Sequence, residues 1–122
     1  GKDKRMTISE AIASEIQPYS VAEEAIEKMF IDAVYKYDLE ASVDEDYSVA
    51  YKKPVAYAAM RLLYKMRPLS SENIGGVSQG YKNEQSLIDD MIKSVAKDAG
   101  IDPALVLNEE SDNYWLTAKN VW

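Results

Sequence analysis

Val55-Ala56-Tyr57-Ala58-Ala59-Met60-Arg61-Leu62-Leu63-Tyr64 is an almost unbroken apolar run with a single charge. A helix with so little polar surface has to be covered on most sides, so the run predicts the central, most buried helix of an all-α protein. Its alanines let neighbouring helices approach closely. Tyr51, Tyr57 and Tyr64 place hydroxyls at the edge of that core. The helix is expected over about 47–66, with Pro54 either in the first turn of its main part or kinking a longer one. Asp44-Glu45-Asp46 just before it reads as an N-cap and first turn, because carboxylates favour the positive end of a helix. A metal loop is disfavoured there: three adjacent carboxylates fan out, and the glycine and spaced oxygens of a calcium loop are missing.

Two further helices are expected on the N-terminal side. Thr7 followed by Glu10 fits a capping box, and Ile8, Ile12 and Ile16 then form one apolar stripe before Pro18 ends the helix. Ser20 and Glu23 repeat the box. Val21, Ala25, Ile26, Met29, Phe30, Ala33, Val34 and Tyr37 hold helical spacing behind it, opposite a solvated face of Glu23, Glu24, Glu27, Lys28 and Asp32. On the C-terminal side, Asn83 is a plausible N-cap. Leu87, Ile88, Met91, Ile92, Val95, Ala96 and Ala99 trace an amphipathic helix that stops at Gly100. Asp102-Pro103 opens a short last helix through Val106 or Leu107.

Between the central helix and this one lies Arg67-Pro-Leu-Ser-Ser-Glu-Asn-Ile-Gly-Gly-Val-Ser-Gln-Gly-Tyr81, with an extended piece expected at 77–81. The expected fold is therefore all-α: four main helices plus a short C-terminal helix, with an extended or hairpin-like glycine-rich insert between the third and fourth. One domain is expected over residues 1–122, with a helical core at about 7–107. Residues 1–5 read as a scar of tag removal or a disordered start, and 108–122 as an aromatic tail.

Composition narrows the function. The chain has 122 residues, is 47% hydrophobic and carries nine tyrosines and two tryptophans, too much apolar material for a disordered chain. It has no cysteine and no histidine, which removes disulfides, thiolate and imidazole metal ligands, and nucleophiles activated by histidine. Asp38, Glu40, Asp44 and Tyr47 lie close in sequence but lack a recognisable catalytic spacing, so no enzyme and no cofactor is expected. A formal net charge of −7 argues against a duplex-binding face. No run approaches the roughly 18 apolar residues of a membrane span, and no charged-then-apolar leader opens the chain, so a soluble, non-secreted protein is expected.

The order of parts resembles the small head–tail connector (adaptor) proteins of tailed bacteriophages and prophages. The residues that carry the resemblance are Val55 to Tyr64, then Ile74-Gly-Gly-Val-Ser-Gln-Gly-Tyr81, then Leu87 through Ile101, with Ser20 to Tyr37 similar to that family's second helix. The acidic linker and the aromatic tail depart from the family's pattern. The resemblance implies a structural virion-assembly protein that forms a homo-oligomeric ring under the portal. Such a ring extends the DNA channel and docks the next neck or tail component, first in the bacterial cytoplasm and then in the virion. DNA would pass through without specific binding, which an acidic lumen favours by repelling phosphates.

Within that reading Ile74, Gly75, Gly76, Val77, Gly80 and Tyr81 form a candidate assembly surface, with glycines permitting close approach and Ile74, Val77 and Tyr81 as apolar anchors. The same stretch also reads as a plain surface connection or a ligand loop, although it is no phosphate loop, because no Lys-Ser/Thr pair follows. Trp115 and Trp122 complete the candidate surface, Trp115 returning to its own core and Trp122 reaching a partner. The alternative reading is a small intracellular protein-binding module without catalytic activity.

Overall fold

The apolar run lies within a 14-residue helix, α3 (Lys52–Lys65), in which Pro54 to Met60, Leu62 and Leu63 are all buried. The structure is a computed structural model and describes residues 5–67 and 78–107, with 78–83 described through the backbone alone. Around α3 pack α1 (Ile8–Glu15), α2 (Glu23–Lys36) and α4 (Ser78–Ala99). A 3₁₀ turn at Val49–Tyr51 leads into α3, and residues 104–107 form a last helical turn. The fold is all-α. Among the described residues there is no strand, only an isolated bridge between Thr7 and Asp46.

Burial of α3 on most sides explains why its alanines matter. Ala58 and Ala59 are fully buried, and small side chains at such positions set how near α1, α2 and α4 can come. Pro54 falls in the first turn, where its missing N–H removes a donor that has no partner within the helix anyway. The neighbours supply Ile8, Ile12 and Ile16, then Met29, Phe30 and Ala33, then Ile88, Ile92 and Ala96, all in one core. No polar or charged residue among those described is fully buried with them.

The capping box at α1 forms as expected. Glu10 N–H donates to Thr7 Oγ1 at 3.1 Å, and Thr7 N–H donates to Glu10 Oε1 at 2.9 Å. The remaining first-turn donors find an acceptor in a distant segment: Ile8 N–H reaches the Glu45 carbonyl at 2.8 Å and Ser9 N–H the Val43 carbonyl at 3.0 Å. Tyr47 N–H returns a bond to the Met6 carbonyl at 2.7 Å. This lacing corrects the expectation for Asp44-Glu45-Asp46, which does not cap the helix that follows. Its Glu45 carbonyl, with that of the preceding Val43, is used to satisfy the open end of α1. The side chains look elsewhere, Asp46 to Arg5 at 2.6 Å and Glu45 to Ser42 N–H at 2.9 Å.

The Ser20–Glu23 box does not form either. Ala22 is the N-cap, in extended conformation and without a side-chain bond, and Glu23 is the first helical residue. Val21 packs against the core while the chain is still extended, which delays the helix start past Ser20. Glu23 and Glu24 in the first turn supply negative charge near the positive helix end instead.

α4 starts at Ser78, ahead of the expected cap Asn83, so Gly80 and Tyr81 lie in its first turn and not in an extended piece. One glycine costs a helix about 1 kcal/mol, little against the backbone bonds that a longer helix adds. A hydrogen bond from Tyr19 Oη to the Glu84 carboxylate, 2.6 Å, ties this end of α4 to the turn after α1. Leu87 was expected on the buried face but is 55% exposed.

α2 and α4 end the same way. At α4, Ile101 N–H bonds Ala96 O and Gly100 N–H bonds Lys97 O, with Gly100 at φ +74°, a full Schellman motif. At α2 the same pair of bonds joins Leu39 to Val34 and Asp38 to Tyr35, and here the left-handed residue is Asp38 at φ 57°. Beyond α4, Asp102 Oδ1 accepts from Ala104 N–H at 2.9 Å with Pro103 between them, and this turn carries Val106 into the core. Among the described residues no helix is long and apolar enough to cross a membrane.

Candidate functional site

The outer face of α2 holds Ile31 and Tyr35 one turn apart, 56% and 88% exposed. The Schellman turn at Asp38 then folds the chain back and presents Leu39, and Val49 in the 3₁₀ turn is 75% exposed. These four side chains border two adjoining depressions that share Leu39. One is lined by Ile31, Val34, Tyr35, Asp38 and Glu40. The other lies between the end of α2, the start of α3 and Ala99 at the end of α4, with Lys52 and Lys53 among its lining residues. Exposed apolar patches with a polar rim occur at many protein contact surfaces.

Beside the second depression, Tyr37 and Tyr57 meet edge to face at 6.2 Å. The Lys36 ammonium lies 5.2 Å from the Tyr57 ring centre, and the Arg61 guanidinium donates to the Tyr57 hydroxyl at 3.2 Å. Burial, and secondarily Tyr57, raises the pKa of Tyr37 above its ordinary value of 10.0, which keeps the phenol neutral. Its hydroxyl is enclosed and has no hydrogen-bond partner among the described residues. At the far end of α3, Arg67 pairs with Asp89 of α4 at 2.9 Å while lying over the Tyr64 ring. That contact fixes the two helices on either side of residues 68–77.

Titratable groups do gather in one place, where Glu15, Tyr47, Lys52 and Asp98 come from four different parts of the chain. Burial, then repulsion from Asp98, raises the Glu15 pKa, and Lys52 partly opposes this. Burial followed by Glu15 and Asp98 raises that of Tyr47. The Lys52–Asp98 pair is loose, 3.8 Å, and largely in solvent. Of this group, Lys52 lines the second depression. A third depression is lined by Glu10, Glu23, Glu27 and Asp44, yet Glu10 is engaged in the α1 cap. Among the described residues no group of His, Cys, Asp or Glu is arranged to hold a metal ion.

The residues weighed for catalysis are dispersed. Asp38 and Glu40 border the Leu39 depression, Asp44 faces the acidic one, and Tyr47 stands near Glu15 and Asp98. Of the expected assembly surface, Ile74, Gly75, Gly76, Val77, Trp115 and Trp122 lie outside the described residues. Gly80 and Tyr81 are placed in the first turn of α4 by their backbone. The strip at Ile31, Tyr35, Leu39 and Val49 was not anticipated. Its signal is faint, because Ile31 and Tyr35 sit one helical step off a core stripe that the sequence shows plainly.

Fold and surface thus define a small all-α protein with an exposed apolar strip. The chain belongs to DUF6706, a family of unknown function, which matches residues 6–122. Neither a curated protein nor a solved structure matches it.

Proposed function

We propose that this chain is a structural virion-assembly protein of the head–tail connector kind, which forms a ring under the portal, extends the DNA channel and docks the next neck component. The observation that carries the reading on the structural side is the exposed Ile31–Tyr35–Leu39–Val49 strip on an all-α scaffold. A ring needs a surface on each subunit that fits a different surface on the next, and α2 offers one. The glycine-rich insert and the aromatic tail, with Ile74, Val77, Tyr81 and Trp122 as anchors, are the proposed complement. The architecture in this reading is four main helices and a short last one around that insert. A net charge of −7 supports a channel wall that lets DNA slide past. The chain has no catalytic role in this reading and acts in the bacterial cytoplasm and then in the virion.

Native mass spectrometry of the chain, alone at high concentration and mixed with any portal protein encoded in its gene neighbourhood, tests the proposal. Ring-sized assemblies are expected, and they are expected to vanish in an Ile31→Ser, Tyr35→Ser double variant that keeps its helical circular dichroism. A gene neighbourhood without portal, capsid and tail genes would sink the reading. Assemblies untouched by the double variant would move the interface off α2. A stable one-to-one complex with some other protein would favour the non-catalytic binding module, which the same strip could serve.

A further inference from the structure

The depression between α2 and α3 has a chemistry of its own, separate from the Ile31–Tyr35 end of the strip. Its lining combines Tyr37, Leu39, Val49 and Pro54 with Ala99, and this open depression has a volume of about 410 Å³. That is within the usual size of a ligand or side-chain pocket. On its border, Lys53 has no ion pair among the described residues, while Lys52 makes only the loose, exposed contact to Asp98. The site therefore offers an apolar hollow edged by positive charge.

The end of the described chain is close in sequence to this hollow. Ala99 lines it, the Schellman turn at Gly100 follows, and buried Val106 holds the 104–107 turn against the core. From Leu107 the sequence continues Asn108-Glu-Glu-Ser-Asp-Asn-Tyr-Trp-Leu116: three carboxylates, then an aromatic and aliphatic triplet. Eight residues from Leu107 to Trp115 span at most about 27 Å, enough to cross a domain of this size. The order of charges and then apolar groups in the tail matches the lysines and the hollow. Both tryptophans of the chain lie in this tail, and leaving an indole in water forgoes a substantial hydrophobic gain.

We propose that Trp115 of the same chain seats in the Tyr37–Leu39–Val49–Pro54–Ala99 hollow, with Glu109 and Glu110 facing Lys52 and Lys53. The contact covers Val49 and Leu39, both exposed on the described surface. This inference does not depend on the connector reading. An isolated monomer with no phage partner would show it equally.

Tryptophan fluorescence tests it directly on the full chain. In a Trp122→Phe background Trp115 is the sole indole. Its emission is expected to be blue-shifted and weakly quenched by acrylamide, and unchanged across a wide dilution series. Val49→Asp, a change at an exposed site that leaves helical circular dichroism intact, is expected to move the emission to the red and raise quenching several-fold. Leu87→Asp, also at an exposed site but midway along α4 and outside the hollow's lining, is expected to leave both unchanged. A water-like Trp115 in the parent, or a buried one indifferent to Val49→Asp, would overturn the proposal. Burial that fades on dilution would place the tail in a second copy and overturn it as well.

Discussion

Two neighbouring helices of equal length, α2 and α3, bury very different shares of their surface. In α3 nine of the fourteen residues are buried, whereas in α2 five are, with Ile31 and Tyr35 left on the outside. α3 is surrounded by the rest of the bundle, so most of its side chains answer to packing. α2 lies at the edge, where the inner stripe answers to packing and the outer face is free to meet something else. The contrast separates residues retained for stability from residues available for contact.

The sharpest way to break that contrast is to truncate one apolar side chain on each helix. Leu63→Ala empties a fully buried site and is expected to cost about 2–5 kcal/mol, the transfer loss plus the cavity left behind. Tyr35→Ala removes a larger side chain that is 88% exposed, and its cost is expected to stay within about 0.5 kcal/mol. Chemical denaturation of the two variants checks both. A large loss at Tyr35 would mean that the outer face of α2 is already covered in the folded chain.

The same contrast explains what could be read from sequence. The α3 run, the Thr7–Glu10 cap, the Gly100 stop and the Asp102-Pro103 turn are local patterns whose meaning needs no knowledge of the rest of the chain. The failures are places where a distant segment decided. Ser20 and Glu23 have the spacing of a cap, but Val21 packs on the core and the helix waits until Glu23. Asp44-Glu45-Asp46 looks like the start of a helix, yet the Glu45 carbonyl, with that of Val43 just before the triplet, is taken by N–H groups of α1, far away in sequence. Of the site, less was legible. An exposed isoleucine and tyrosine at helical spacing look the same in sequence as buried ones, and only the position of α2 at the edge of the bundle distinguishes them.

A gentler test sits at the end of α2. Asp38 holds the left-handed conformation that glycine fills at the end of α4. An L-residue pays about 1 kcal/mol or more there, part of which aspartate recovers through its short polar side chain. Asp38→Gly is therefore expected to raise stability by up to about 1 kcal/mol without moving Leu39, as thermal unfolding would show. Destabilisation would mean that the Asp38 carboxylate makes a contact that outweighs the strain.

The smallest effect concerns the other end of α3, where Lys52 faces Glu15 and Asp98. Burial and Asp98 together raise the Glu15 pKa above its ordinary value of 4.5, with Lys52 opposing them only in part. The folded chain thus binds the Glu15 proton more tightly than the unfolded one does. By linkage, this group's contribution to stability is fully present below about pH 4.5 and is lost as the pH rises through the higher folded value. Glu15→Gln keeps the side chain's shape without the charge, so it is expected to be modestly more stable than the parent at neutral pH, with the advantage disappearing in acid. Thermal melts at acidic and neutral pH measure that difference. A variant less stable than the parent at neutral pH would show that Lys52 outweighs burial and Asp98, and that α3 is held at its start by an ion pair as well as by its apolar core.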